Sequence, residues 1–265
     1  PPCPTFERAM TRRWGIRAPA AVAALLVVAV ALGPADVGSA YKLPKRRPPK
    51  PSVRTVTLSN ERTLSRWANP RHPGPIFARP LPRARTVGSL HMRTEDGFPE
   101  VYLLLRERSD THRRTWVELR IPGRPNGRTG WVRLGELRAF EITRWLLVVD
   151  RHTERITAYH DGRRVFRAPV GIGKPSTPTP PGHFWIRERF RVSDPSSPYW
   201  PYALGTSDYS VLSEWPGGGV VGIHGQWDAP QLIPGDPSHG CIRMLNHDIA
   251  WLAPRVPVGT PLHVI

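Results

Sequence analysis

Cysteine is nearly missing from this chain: two in 265 residues, Cys3 and Cys241, so no disulfide framework can staple the fold. Acidic residues are also scarce. Twenty-one Asp and Glu face 38 Lys and Arg, a formal charge of +17, which suits polyanionic surroundings such as nucleic acid, acidic lipid or anionic wall polymers without choosing among them. Long apolar runs are absent too. The longest, Ala18 to Leu32, falls short of the roughly twenty residues a membrane-spanning helix needs.

That run is better read as an export signal. Arg12, Arg13 and Arg17 precede it, and Gly33, Pro34 and then Gly38-Ser39-Ala40 follow, with small side chains where a signal peptidase cuts. Residues 1–40 are therefore expected to be a signal peptide, with an uncleaved N-terminal anchor as the alternative. Met10 is the expected start, which leaves Cys3 outside the mature chain. Residues 41–55, rich in Lys, Arg and Pro, form a basic linker that cannot bury a core; it is either a tether toward anionic wall polymer or lipid, or a solvated spacer.

One thiol then remains, and its neighbours matter. Cys241 sits in Ser238-His239-Gly240-Cys241-Ile242-Arg243-Met244, with His224 fourteen positions before Ser238. Most free cysteines are small buried apolar residues. Here, however, His239 shares a face with Cys241 if the chain is extended, and Gly240 allows close approach to a substrate and frees peptide N–H groups for an oxyanion. Arg243 adds fixed positive charge, and a helical turn starting at Cys241 would favour the thiolate further. This pattern points to a nucleophile and base, Cys241 with His224 or His239. Two other classes stay open. His224, His239 and Cys241 are possible Zn²⁺ ligands, though at no compact zinc spacing, and a non-catalytic binding protein could use the segment as scaffold.

Ile223-His224-Gly225, a loop of about a dozen residues and the Ser238–Met244 stretch resemble the signature of the L,D-transpeptidase (YkuD-like) catalytic domain. Two departures from the family pattern are a short loop and Gly225 where Ser or Thr is common. The resemblance implies an acyl-enzyme on Cys241, formed with a peptidoglycan stem peptide attacked at its third residue, and acylation of the same thiol by carbapenem-type β-lactams. It implies no cofactor or metal and no nucleic-acid partner, membrane contact only through the N-terminal segment, and action at the cell wall or outer face of the membrane. It assigns His224 as general base, oriented by the carbonyl of Gly225. His239 then shapes the thiolate environment, Gly240 and Cys241 offer oxyanion donors, and Ser238 and Arg243 complete the substrate-binding set. Hydrolysis instead of transfer would make the same site a carboxypeptidase.

The rest of the chain reads as mainly β. Between 56 and 140, short runs such as Val101–Leu105, Trp116–Ile121 and Gly130–Leu134 alternate with Pro, Gly, Asn and Asp, as in a small β-barrel. Pro122–Val132 resembles the distal hairpin of a bacterial Src-homology-3-like domain. Trp116 and Trp131 are either groove-lining or core. The catalytic domain is expected over 141–265, a β-rich fold with short helices. It would open on a three-stranded meander, Trp145–Asp150, Arg155–His160 and Val165–Val170, turning at Asp161-Gly162. Gly171-Ile172-Gly173-Lys174 lacks the spacing of a phosphate-binding loop, and together with Thr177–Gly182 it also resembles the transpeptidase domain. Residues 190–214 are expected to form a lid or cleft wall, with Tyr199, Trp200 and Tyr202 as candidates for substrate packing. Val220–Ile223 should be a buried strand that delivers His224, followed later by helical turns at Asp248–Leu252 and a closing strand at the C-terminus.

Overall fold

The computed structural model describes residues 52–214, 216–226 and 230–265. The export signal and most of the basic linker lie outside the described residues. The molecule is mainly β. The described residues form one compact unit holding two sheets.

The first sheet contains β1 (Arg54–Thr57), β2 (Ser65–Ala68), β3 (Gly74–Phe77), β4 (Thr86–Leu90), β5 (Tyr102–Ser109), β6 (Thr115–Arg120), β7 (Thr129–Arg133) and β8 (Glu141–Thr143). Its order is β4-β3-β7-β6-β5-β2-β8, with β1 added alongside β5. The central β5-β6-β7 meander turns where the sequence supplies turn chemistry. At Ser109–Arg114 the Asp110 carboxylate accepts the N–H groups of His112 and Arg114. Trp116 and Trp131 are both buried in the sheet, and Trp116 also lines a surface depression with Phe77, Pro82 and Arg133.

The second sheet contains β9 (Trp145–Asp150), β10 (Arg155–His160), β11 (Arg163–Pro169), β12 (Gly171–Gly173), β13 (Gly182–Arg191), β14 (Tyr202–Tyr209), β15 (Val220–Gly225), β16 (Gly235–Ser238), β17 (Ile242–Met244) and β18 (Pro261–Val264), with one helix, α1 (Asn246–Leu252). Its order is β11-β10-β9-β18-β13-β14-β15-β17-β12-β16. The β9-β10-β11 meander turns at Asp161-Gly162, both in the left-handed region that a two-residue hairpin loop needs. Edge strand β11 carries Arg163, Arg164 and Arg167, charges that discourage pairing with another chain.

One expectation changes and another is narrowed. No helical turn begins at Cys241: Ile242 and Met244 are buried and Arg243 between them is half-buried, a period of two that pairs β17 in parallel with β15. Of the lid or cleft wall expected over 190–214, the wall is what residues 202–209 form: they are β14, buried between β13 and β15, with Ala203, Leu204 and Gly205 lining a cavity beside Cys241.

The two sheets are joined by buried contacts. Trp185 of β13 packs with Val101 and Leu103 and donates its indole N–H to the Val101 carbonyl at 2.7 Å. Beside it Arg187, also on β13, is fully enclosed and hydrogen-bonds both carboxylate oxygens of the equally buried Glu100, while contacting Glu95 at 2.9 Å and the Tyr209 hydroxyl at 3.0 Å. The chain crosses between sheets at Arg144, since β8 still pairs with β2 whereas β9 begins the second sheet, three residues beyond the boundary drawn from the sequence. Because removing one member of a buried ion pair strands the other charge, Glu100→Ala should cost about 3–5 kcal/mol. Urea unfolding measures this directly; a loss below about 1 kcal/mol, the range of surface pairs, would mean water reaches the pair.

Candidate active site

Strands β15 and β17 bring the motif together. They run parallel with Ile223 opposite Ile242 and His224 opposite Arg243, so Gly222 lies beside Cys241. The Gly222 N–H on that side acts to lower the pKa of the thiol. His224, near the end of β15, is buried, and its Nδ1–H donates to the Gly225 carbonyl at 2.7 Å. A carbonyl can only accept, so Nδ1 carries the ring proton and Nε2 the lone pair. Tyr199 stands edge-on to the His224 ring, with centroids 5.0 Å apart.

Gly225 is dictated by space. A Cβ there would lie 1.9 Å from the Trp200 carbonyl oxygen and 2.6 Å from Asn246 Oδ1, which is itself bonded to the Gln226 N–H. The Ser or Thr common at this position elsewhere would not fit under this chain's Trp200 backbone.

The turn from Ser238 to Cys241 is held by hydroxyls. Ser210 donates to the His239 carbonyl (3.1 Å), Thr179 to the Gly240 carbonyl (2.7 Å) and Ser238 to the Cys241 carbonyl (2.6 Å). Gly240 has φ +127°, a conformation that L side chains rarely adopt, and a Cβ on it would press Ser210 at 3.2 Å. Its N–H, expected to face an oxyanion, instead donates to Ser238 Oγ at 3.1 Å. The turn bends the N–H inward, so Gly240 serves as the pivot of the turn rather than as an oxyanion donor.

Lys174 was passed over in the sequence. Its ammonium lies 3.0 Å from His239 Nε2. An ammonium can only donate, so His239 Nε2 is the acceptor there and its ring proton sits on Nδ1. The Gly171–Lys174 stretch is thus a strand that aims a cation at the motif, a role visible only once β12 is seen to pair with β16 and β17. Thr179 and Ser210 were also missed; they lie 62 and 31 residues from Cys241, with no local signal linking them to it.

Cys241, half-buried, lines two cavities of about 130 and 310 Å³, which share Tyr199, Val220 and His224. The smaller is walled by Ser238, His239 and Arg243, and the larger by Asp96, Glu188 and Phe190. Trp200 and Tyr202 line neither: Trp200 faces a separate depression and Tyr202 packs on the core, leaving Tyr199 alone of the three expected aromatics at the site. Burial pushes the Cys241 thiol above its ordinary value, against the lowering effects of the Gly222 N–H and the Arg243 charge. The resting group is therefore the thiol, contrary to the thiolate expected from its basic neighbours, and a base must take its proton. Burial likewise raises the buried Asp208 carboxyl well above the carboxylate range, although the Asn126 amide donates to its Oδ1 at 2.8 Å.

Residues 144–264 match the family model of the L,D-transpeptidase catalytic domain, YkuD. L,D-transpeptidase 1 of Mycobacterium tuberculosis is 32% identical over 126 residues, covering 44% of this chain and 48% of its own length. A candidate L,D-transpeptidase YkuD of Bacillus subtilis is 39% identical over 114 residues, covering 43% of this chain and 62% of its own. That of Bacillus licheniformis is 33% identical over 118 residues, 44% and 64%. The chain thus spans about half to two thirds of these relatives' lengths.

Glu188 gives the larger cavity a measurable pH signature. Burial pushes its carboxyl up from 4.5 to about 7; the hydrogen bond from Thr94 and the charge of Arg187 oppose the rise, and Asp96 beside it adds to it. Between pH 4.5 and about 7 the folded chain therefore holds a proton that the unfolded chain has released, and stability falls as pH rises through that window. Glu188→Gln should flatten this part of the stability profile in urea melts at pH 5 and pH 8. An unchanged slope would assign the titration elsewhere.

Proposed function

We propose that this protein is an exported cysteine L,D-transpeptidase that forms an acyl-enzyme on a peptidoglycan stem peptide and passes the acyl group to an amine, cross-linking the cell wall. The observation that carries this reading is the fixed tautomer of His224, whose proton is committed to the Gly225 carbonyl while its ring lines the same cavities as the Cys241 thiol. A thiol in the same cleft as an imidazole held through Nδ1 by a backbone carbonyl is the arrangement of a nucleophile and its base.

In the forward step Cys241 Sγ attacks the carbonyl of the third stem residue while its proton passes to His224. The oxyanion is stabilised by the backbone N–H of Cys241 together with the positive charge of Arg243, since the Gly240 N–H is engaged by Ser238. Collapse breaks the bond to the terminal D-alanine, whose amine leaves with the proton from His224, and a thioester remains. An acceptor amine then attacks the thioester and gives its proton to His224, and the restored thiol leaves as a new amide forms. His239, bound through Nε2 to Lys174, is a positioning and electrostatic residue rather than the base. The larger cavity has room for an amine-bearing acceptor, which favours transfer over hydrolysis. Export rests on the Arg-flanked apolar run and the small residues ending at Ala40. The positive charge and basic linker suit anionic wall polymers.

Intact-mass measurement tests the chemistry. The protein mixed with purified disaccharide-tetrapeptide or a carbapenem should gain one acyl adduct, and Cys241→Ala should gain none. His224→Ala should lose about 10²–10⁴ in acylation rate together with the neutral-pH ionisation, whereas His239→Ala should keep a titrating base. An adduct on the Cys241→Ala protein would remove the nucleophile assignment, and the opposite histidine pattern would exchange the two roles.

A further inference from the structure

Away from the thiol, three metal-ligating side chains converge at the junction of the two sheets. His183 on β13 and His263 on β18 are direct cross-strand partners, with ring centroids 4.1 Å apart. Glu61, from the loop between β1 and β2, points Oε2 at both, 3.7 Å from His183 Nδ1 and 3.9 Å from His263 Nε2. All three ligand atoms lie within 4.8 Å of one another. None of the three residues lines either cavity beside Cys241.

These separations are informative. They are too long for the hydrogen bonds of about 2.7–3.2 Å that such groups would otherwise make. They lie a few tenths of an ångström above the ~3.3 Å edge of a tetrahedron with metal–ligand bonds of about 2.0–2.1 Å. His263 Nε2 is buried and has no hydrogen-bond partner among the described residues, a costly state for an imidazole nitrogen unless something else occupies its lone pair. His183 is more than half exposed, so the cluster is open on one side to an entering ion and to a water in a fourth position.

The loop that supplies the carboxylate is held firmly. Asn60 Oδ1 accepts the N–H groups of Arg62, Thr63 and Leu64 at 2.8–3.1 Å, and Glu61 itself sits at φ +53°, an uncommon conformation for a non-glycine residue. Arg120 donates to Glu61 Oε1 at 2.9 Å and to Oε2 at 3.3 Å. It orients the carboxylate as an outer partner of a metal ligand does, while its charge moderates affinity for a cation.

We propose that Glu61, His183 and His263 bind a divalent ion of the zinc class, which ties the first sheet to the second independently of the chemistry at Cys241. Two imidazole nitrogens and one carboxylate oxygen select Zn²⁺ or its neighbours Co²⁺ and Ni²⁺ over the oxygen-seeking Mg²⁺ and Ca²⁺. The ion is a brace: its carboxylate comes from one sheet and its imidazoles from two adjacent strands of the other.

Untagged full-length protein, stripped with chelator and dialysed against Zn²⁺ or Co²⁺, tests this. One equivalent should be retained, Co²⁺ should show the visible absorption of a low-symmetry nitrogen and oxygen site, and the thermal midpoint should rise on metal addition. His263→Ala and the exposed His183→Gln should each weaken binding about tenfold or more and abolish the metal-dependent shift, with folding checked by circular dichroism. Cys241→Ala should retain the full equivalent. Absence of bound metal in the wild type, binding undiminished in His183→Gln, or loss of the equivalent in Cys241→Ala would each overturn the assignment.

Discussion

Everything at this site depends on how the carbonyls of His239, Gly240 and Cys241 are satisfied. The turn bends through Gly240 at φ +127°, so those three carbonyls cannot all join a strand ladder. Left buried and unpaired, each would cost about 1–3 kcal/mol. Three hydroxyls from three separate segments meet them instead: Ser210 after β14, Thr179 before β13 and Ser238 from the turn itself. Thr179 Oγ1 also accepts the Gly173 N–H, tying the turn to β12, and β12 in turn ends at the lysine that holds His239. The thiol is thus fixed by a closed set of polar contacts around it, while its own proton remains to be managed by His224.

The first sheet takes part in this fixing. The hairpin between β6 and β7 reaches across to the second sheet, where Arg124 donates to the Ser210 carbonyl at 2.6 Å and to the Gly218 carbonyl at 2.9 Å. Asn126 in the same hairpin bonds Asp208 and exchanges hydrogen bonds with the Tyr209 backbone. Ser210, whose hydroxyl holds His239, is therefore gripped from the other sheet. A second loop, Thr94–Phe98, places Thr94 on Glu188, stacks Phe98 on Phe190 at 5.5 Å and supplies Asp96 to the larger cavity. Two loops of the first sheet thus build part of the catalytic cleft, so this sheet is more than a separate attachment module.

Much of this was legible in the sequence, and the limits have physical causes. Strands such as Trp145–Asp150 and Trp116–Arg120 announce themselves because short runs of β-branched, aromatic and aliphatic side chains bounded by turn residues are local properties. That His224 and Cys241 face one cleft, and that the Gly225 carbonyl holds the His224 ring, followed from the motif resemblance. By contrast, the helical turn expected at Cys241 failed because a neighbouring strand, β15, offered parallel pairing that no local preference registers. Lys174, Thr179, Ser210 and Arg124 escaped notice for the same reason. Each acts through a hydrogen bond to a backbone or ring atom at least 61 residues away, or in the case of Ser210 29 residues away, and such contacts carry no composition or spacing signal.

The cavities also divide the charge around the nucleophile. Arg243 and the Lys174-bound His239 stand on one side of Cys241, and Asp96 and Glu188 on the other. Between them, burial pushes the pKa of the Cys241 thiol upward. A raised thiol pKa gives weight to the orientation of the neighbouring His224. The Gly225 carbonyl can hold the ring only because no side chain at 225 collides with the Trp200 backbone, and Asn246 of α1 fixes the next residue through the Gln226 N–H. A missing Cβ on one strand and an amide on a short helix therefore set which nitrogen of the base faces the chemistry.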